Sequence, residues 1–130
     1  QYGMRDLILV AAGGALGAVA RYLVGGWIQA AAGWTFPIST YAINVTGSFL
    51  IGIVLGLAES GALTAPARLF LAVGLMGGYT TFSSFSYENL QILRSGALGA
   101  LILNAGGQLA LGLLAVYLGV VVARMLGGVL

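Results

Sequence analysis

The sequence predicts an all-α membrane protein with four transmembrane helices, the third of them broken near mid-membrane. Three observations carry that prediction. Of the 130 residues 60% are hydrophobic and only 6% charged, with a mean hydropathy of +1.05, whereas a soluble domain carries about 25% charged residues. The apolar residues gather into stretches near the ~20 residues that a helix needs to cross a bilayer, which leaves room for about four spans. The third stretch contains Gly77-Gly78-Tyr79-Thr80-Thr81-Phe82-Ser83-Ser84-Phe85. Paired glycines, a β-branched pair and hydroxyl residues all weaken a helix.

The whole chain, 1–130, reads as a single four-span domain with no linker or internal repeat. The first span is expected at 6–30, where Gly13 and Gly17 form a small-residue contact face and Arg21 follows four residues after Gly17. Trp27, Trp34 and Phe36 mark the return to the interface, and Pro37 fits the start of the next helix. The second span, 38–58, carries Thr40, Asn44 and Ser48 at four-residue intervals, hence on one face. Its small residues Gly47, Gly52 and Gly56 permit close packing. Glu59-Ser60-Gly61 ends it.

The third span, 67–94, is longer than a straight crossing needs, in keeping with two half-helices around the interruption. Beyond the interruption Phe82, Phe85 and either Glu88 or Asn89 share a helix face. The fourth span, 97–124, places Asn104 and Gln108 four residues apart on one face. Polar faces thus recur on spans two, three and four. Unpaired backbone groups in hydrocarbon cost several kcal/mol, so a break there must be enclosed by protein or face a watery cavity. Broken membrane helices present free carbonyls and amides that hold ions or substrates.

Composition excludes several functions. With no cysteine and no histidine, disulfides, zinc and thiol redox chemistry have no ligands or nucleophiles. The net charge of +2 comes from five arginines scattered along the chain, so no basic patch is available for nucleic acid. No acid–base pair sits on facing helices, which argues against an enzyme. Orientation is weakly specified: Arg5, Arg68 and Arg124 fall on one side, Arg94 and Arg21 on the other. Short-loop arginine and lysine bias sets membrane orientation, so three against two permits insertion both ways. An antiparallel dimer with an in-plane two-fold axis becomes possible.

The run 77–85, taken with Gly13, Gly17, Arg21 and Tyr22 in the first span and Asn44 in the second, resembles the Fluc (CrcB) family of fluoride ion channels over essentially the whole chain. The resemblance implies a passive fluoride exporter of the cell (inner) membrane, built as an antiparallel dual-topology homodimer with two pores. It implies that Phe82 and Phe85 line the pores and that Asn44 lies on the ion path. Ser83, Ser84 and, from the fourth span, Asn104 and Gln108 would extend a polar track. A structural Na⁺ at the dimer centre is implied, held by the backbone carbonyls of Gly77 and Thr80 from both subunits. The family often has threonine where this chain has Ser84; serine keeps the hydroxyl.

The residues suit that chemistry. Fluoride holds its water tightly, so a pore must supply replacement donors. The Asn44 amide and the hydroxyls of Thr81, Ser83 and Ser84 are such donors. Phenylalanine offers the positive edge of its ring. Freed carbonyls with no acidic side chain in the run suit a hard cation. Arg21 has two readings, an anchor that snorkels to the interface or the positive mouth of an aqueous vestibule. Glu88 is read as a partner for an arginine or a helix-end residue rather than a proton carrier. Two rivals remain. A proton-coupled small multidrug transporter needs a titratable carboxylate deep in the bundle, and the first span offers only Asp6 at its start. A non-transporting assembly subunit explains the glycine faces but not the alignment of Asn44 with Phe82 and Phe85.

Overall fold

The computed structural model describes residues 2–129, and among them the secondary structure is entirely helical. The first helix, Met4–Ala32, ends at Gly33, whose φ of 65° lets its N–H bond back to the Gln29 carbonyl. The turn that follows is tied by one side chain. Gln29 Nε2 donates to the carbonyls of Trp34 and Phe36 at 2.6 and 3.2 Å, while Gln29 Oε1 accepts from the Ser39 N–H at 3.3 Å. Polar backbone at the membrane boundary is thereby satisfied without solvent. Pro37 immediately precedes the second helix, Ile38–Glu59.

Thr64 caps the third helical segment by accepting from the Ala67 N–H at 3.3 Å. Ala65–Arg68 is α-helical, Leu69–Met76 widens to π-helix, and Gly77–Tyr79 returns to α. Thr80 and Thr81 are extended, and a new helix runs from Phe82 to Ser95, ended by Gly96 at φ 77°. The fourth helix comprises Leu98–Leu101, a π-helical stretch Ile102–Gly106, and Gly107–Val129.

Among the described residues three helices are long and apolar enough to cross a membrane unaided, Met4–Ala32, Ile38–Glu59 and Leu98–Gly127. The third helix, divided by its break, is not among them. The 14 residues of its second half rise about 21 Å, short of a ~30 Å hydrocarbon core. The break falls two residues later than the paired glycines suggest. Gly77 and Gly78 stay helical, because glycine lowers helix stability by only about 1 kcal/mol and here it also allows contact: a Cβ on Gly78 would lie 2.5 Å from the Gly14 carbonyl oxygen.

Glycine contact organises the bundle into two pairs. The first helix lies on the first half of the third, where a Cβ on Gly13 would lie 2.6 Å from the Phe70 carbonyl oxygen and one on Gly74 3.0 Å from Gly13 Cα. The second and fourth helices meet through Gly52, Gly56 and Gly119, with Gly56 facing Ala123 at 2.6 Å by the same measure. Without a hydrophobic drive between helices in lipid, such contact supplies the packing energy. The apolar core is small: Ile43, Ala72, Met76, Ala115 and Ala123. Among the described residues the largest fully buried side chain is polar, Asn104.

The first pair predicts a clear asymmetry between glycines. Gly17→Ala sets a methyl against the Leu75 carbonyl and 2.8 Å from the Tyr79 nitrogen, whereas Gly26→Ala meets nothing within 4 Å. Overpacking of this kind costs about 1–3 kcal/mol. Thermal unfolding in detergent is expected to show a lowered midpoint for Gly17→Ala and an unchanged one for Gly26→Ala.

Candidate functional site

The site forms where the third helix opens. Thr80 (φ −85°, ψ 158°) and Thr81 (φ −147°, ψ 121°) run extended between the half-helices. In an unbroken helix the Thr81 N–H would bond the Gly77 carbonyl and the Ser84 N–H the Thr80 carbonyl. Both donors go elsewhere. The Thr81 N–H donates to Asn44 Oδ1 at 2.9 Å, and the Ser84 N–H to Thr81 Oγ1 at 3.3 Å. Thr81 is therefore an N-cap of the second half-helix, and the carbonyls of Gly77 and Thr80 lose their regular helical partners. The Gly78 carbonyl is taken by Arg21, whose Nε donates at 3.2 Å.

Asn44 holds the break from the second helix. Its Nδ2 donates to the Thr81 carbonyl at 3.0 Å while its Oδ1 receives the Thr81 N–H, so one amide satisfies both backbone groups of the extended residue. The same Nδ2 donates to Gln108 Oε1 at 2.9 Å. A row of amides continues from there: Gln108 Nε2 donates to Asn104 Oδ1 at 2.9 Å and Asn104 Nδ2 to Asn89 Oδ1 at 2.8 Å. The row ties helices two, three and four together deep in the bundle.

Beside this row a cavity of about 270 Å³ is lined by Asn44, Thr80, Thr81, Phe82, Phe85, Gln108 and Leu109. The two rings pack tilted at 48° with centroids 5.8 Å apart. Phe82 is 79% exposed within a single chain. A second cavity of about 340 Å³ is lined by Arg21, Tyr22, Gln29, Ser39, Thr40, Thr81 and Ser84, among others. It sets Arg21 among several hydroxyl residues, while the Gly78 contact makes Arg21 a cap for the broken helix end. Arg21 has no carboxylate partner among the described residues.

The predicted residues separate into groups. Asn44, Phe82, Phe85 and Gln108 surround one cavity, and Arg21, Thr40 and Ser84 the next, with Thr81 on both. Asn104 stands one step behind Gln108. Ser83 is exposed and bonds only Thr81 Oγ1, at 3.4 Å. Ser48 donates to the Asn44 carbonyl of its own helix at 2.7 Å, so its proton is committed locally. Glu88 takes its hydrogen bond from Thr40 Oγ1 at 2.6 Å rather than from an arginine, and its Oε2 is buried without a partner. Asn89 escaped the sequence reading as a site residue; its helical spacing from Phe82 and Phe85 is the signal that pointed to it.

A helical membrane bundle that breaks one helix against an amide row, and opens a cavity walled by paired rings and polar groups, has the build of a protein that passes a small solute or ion across the bilayer. Comparison with known proteins narrows the class. The profile of the family described as CrcB-like protein, Camphor Resistance (CrcB) matches residues 8–120. A Thermus thermophilus protein named "Fluoride-specific ion channel FluC" is 54% identical over 117 residues, covering 90% of this chain and 92% of its own. Proteins of that name from Acidobacterium capsulatum and Geobacter sulfurreducens are 52% and 41% identical, over 88% and 95% of this chain and 93% and 100% of theirs. The chain belongs to the CrcB (Fluc) family, and the relatives carry the name of a channel rather than an enzyme.

The clamp on Thr81 gives the second prediction. Asn44→Leu strips partners from the Thr81 N–H, the Thr81 carbonyl and Gln108 Oε1, and each unmade buried bond costs about 1–3 kcal/mol. A large drop in unfolding temperature is expected, with Asn44→Asp intermediate because it keeps an acceptor for the Thr81 N–H. An unaltered melt for Asn44→Leu would mean that the break is held by something else.

Proposed function

We propose that the protein is a fluoride-selective ion channel that lets F⁻ leave the cell passively across the inner membrane. The observation that carries this is the cavity where Asn44 and Gln108 meet Phe82 and Phe85 at a membrane helix break, in a chain more than half identical to proteins named as fluoride-specific channels. The anion exchanges its hydration shell for amide and hydroxyl donors and for the positive edges of the rings. No cationic side chain lines that cavity, so the anion is held by weak, multiple contacts and can leave again. Arg21 concentrates anions at the cavity that it lines. Ser84, also on that cavity, and Ser83 beside Thr81 extend the hydroxyl path, with Asn104 behind Gln108; Thr40 lines the same cavity as Ser84 with its proton held by Glu88.

The working unit in this reading is an antiparallel homodimer with two pores. A ring as exposed as Phe82 and the unpaired face around Gly77 support it, since a partner chain would complete a pore wall there. The same face suits a structural Na⁺. The carbonyl oxygens of Gly77 and Thr80, released from their helical partners by the Asn44 and Thr81 bonds, are hard, neutral donors of the kind that a hard cation takes. Arg21 on the neighbouring Gly78 carbonyl keeps that carbonyl apart from the set. When bound, the ion joins the two subunits and adds positive potential near the pores.

The deciding experiment is fluoride efflux from liposomes, read with a fluoride electrode beside a chloride trace. Fast fluoride release with silent chloride is expected, and no release from a folded dimer would sink the proposal. Phe82→Ile or Phe85→Ile is expected to abolish fluoride flux while the dimer persists in size-exclusion chromatography; full flux in both variants would remove the ring-edge contribution. Replacing all alkali cations by a large organic cation is expected to weaken the dimer and the flux together, and indifference of both would remove the Na⁺ assignment.

A further inference from the structure

The amide row has a direction, and that direction is set at one end. Asn44 grips the N–H and C=O of Thr81 at 2.9 and 3.0 Å, which decides which end of its amide is oxygen and turns Nδ2 toward Gln108 Oε1. Each orientation then dictates the next, through Gln108 Nε2 to Asn104 Oδ1 and Asn104 Nδ2 to Asn89 Oδ1. Asn104 is fully buried and Gln108 6% exposed, and the bond between them is buried, so no water is at hand there to repair a mismatch. The row is fully paired in this sense only as long as every amide agrees with its neighbour.

This orientation is adverse to an anion. Asn44 Nδ2 is already shared between two acceptors, and the group that Gln108 turns toward it is an oxygen. A half-turn about the soft terminal torsion of Gln108 exchanges that oxygen for an NH₂. Without an anion the exchange sets donor against donor; with an anion beside Asn44 both amides donate to it. The change cannot stop there. The Gln108 oxygen then faces Asn104, which must present its own NH₂, and the Asn104 oxygen in turn faces Asn89.

We propose that the amides of Gln108, Asn104 and Asn89 reverse together when an anion enters the cavity beside Phe82 and Phe85, which makes Asn89 a positioning residue for anion binding at Asn44. The proposal rests on the channel reading above and adds a two-state element to it: the row presents an acceptor at rest and a donor when occupied. Asn89 is the last amide in the row. It sets how readily the row turns without touching the ion.

The test follows side-chain amide resonances by NMR in protein labelled with ¹⁵N at asparagine and glutamine, titrated with fluoride and, separately, with chloride. The Asn89 NH₂ signals are expected to move with fluoride at the same midpoint as those of Asn44 and Gln108, a response that a purely structural Asn89 has no reason to show. Movement at Asn44 and Gln108 with Asn89 still would overturn the proposal and leave the channel reading intact. Flux supplies the second arm. Asn89→Asp offers only acceptors and holds the row in its resting sense, whereas Asn89→Ala removes the final acceptor. Fluoride flux about tenfold lower in Asn89→Asp than in Asn89→Ala is expected from one charge-strengthened hydrogen bond, and equal flux in the two overturns the proposal. If the unaltered protein releases no fluoride, the channel reading falls first and this one with it.

Discussion

The double hydrogen bond between Asn44 and the backbone of Thr81 is the constraint on which the rest of the site depends. A helix opened inside a membrane leaves donors and acceptors that water cannot reach, and the cost grows with each one left alone. Asn44 answers both groups of the extended residue with one planar amide, and the Thr81 hydroxyl starts the next helix by capping Ser84. What remains open is a small set of carbonyls and a cavity. The break is thus a selective release of backbone groups, with some bonded to side chains and others left to a ligand.

Helix packing serves the same end. Gly13, Gly14 and Gly17 let the first helix approach the first half of the third closely enough for backbone to touch backbone. That approach carries Arg21 to the Gly78 carbonyl, where its charge lies at the carbonyl end of a half-helix, the end that favours a cation. The second and fourth helices meet through Gly52 and Gly119, which brings Asn44 within reach of Gln108. The deepest part of the bundle is accordingly polar, and its polar groups satisfy each other. Among the buried side-chain atoms of the described residues, Glu88 Oε2 is the exception.

Much of this was legible in the chain. The low charge and long apolar stretches announced a membrane bundle, and the run from Gly77 to Phe85 announced a break. The four-residue spacing of Thr40, Asn44 and Ser48 placed them on one face, yet their fates differ: Thr40 meets Glu88, Asn44 holds Thr81, and Ser48 bonds its own helix. Spacing reports the face, and the neighbour decides the role. The glycine pair points to the break, yet both residues stay helical and Gly78 serves contact with the first helix, while Gly77 stays exposed; only the position of that helix separates the two uses. The π-helical stretches Leu69–Met76 and Ile102–Gly106, where bonds run from i to i+5, carry no evident signal in the sequence.

By itself the sequence determined the membrane environment, the number of helices, the break and the polar faces, because these follow from local composition and from the period of a helix. Tertiary structure alone decided which polar groups pair. The bonds from Asn44 to Thr81, Asn44 to Gln108 and Arg21 to Gly78 join residues 37, 64 and 57 positions apart, and no local periodicity encodes a partner at such a distance. The direction of the amide row was decided there too. An asparagine or glutamine can face a neighbour with either end, and only the fixed N–H and C=O of Thr81, brought against Asn44 by the fold, select one.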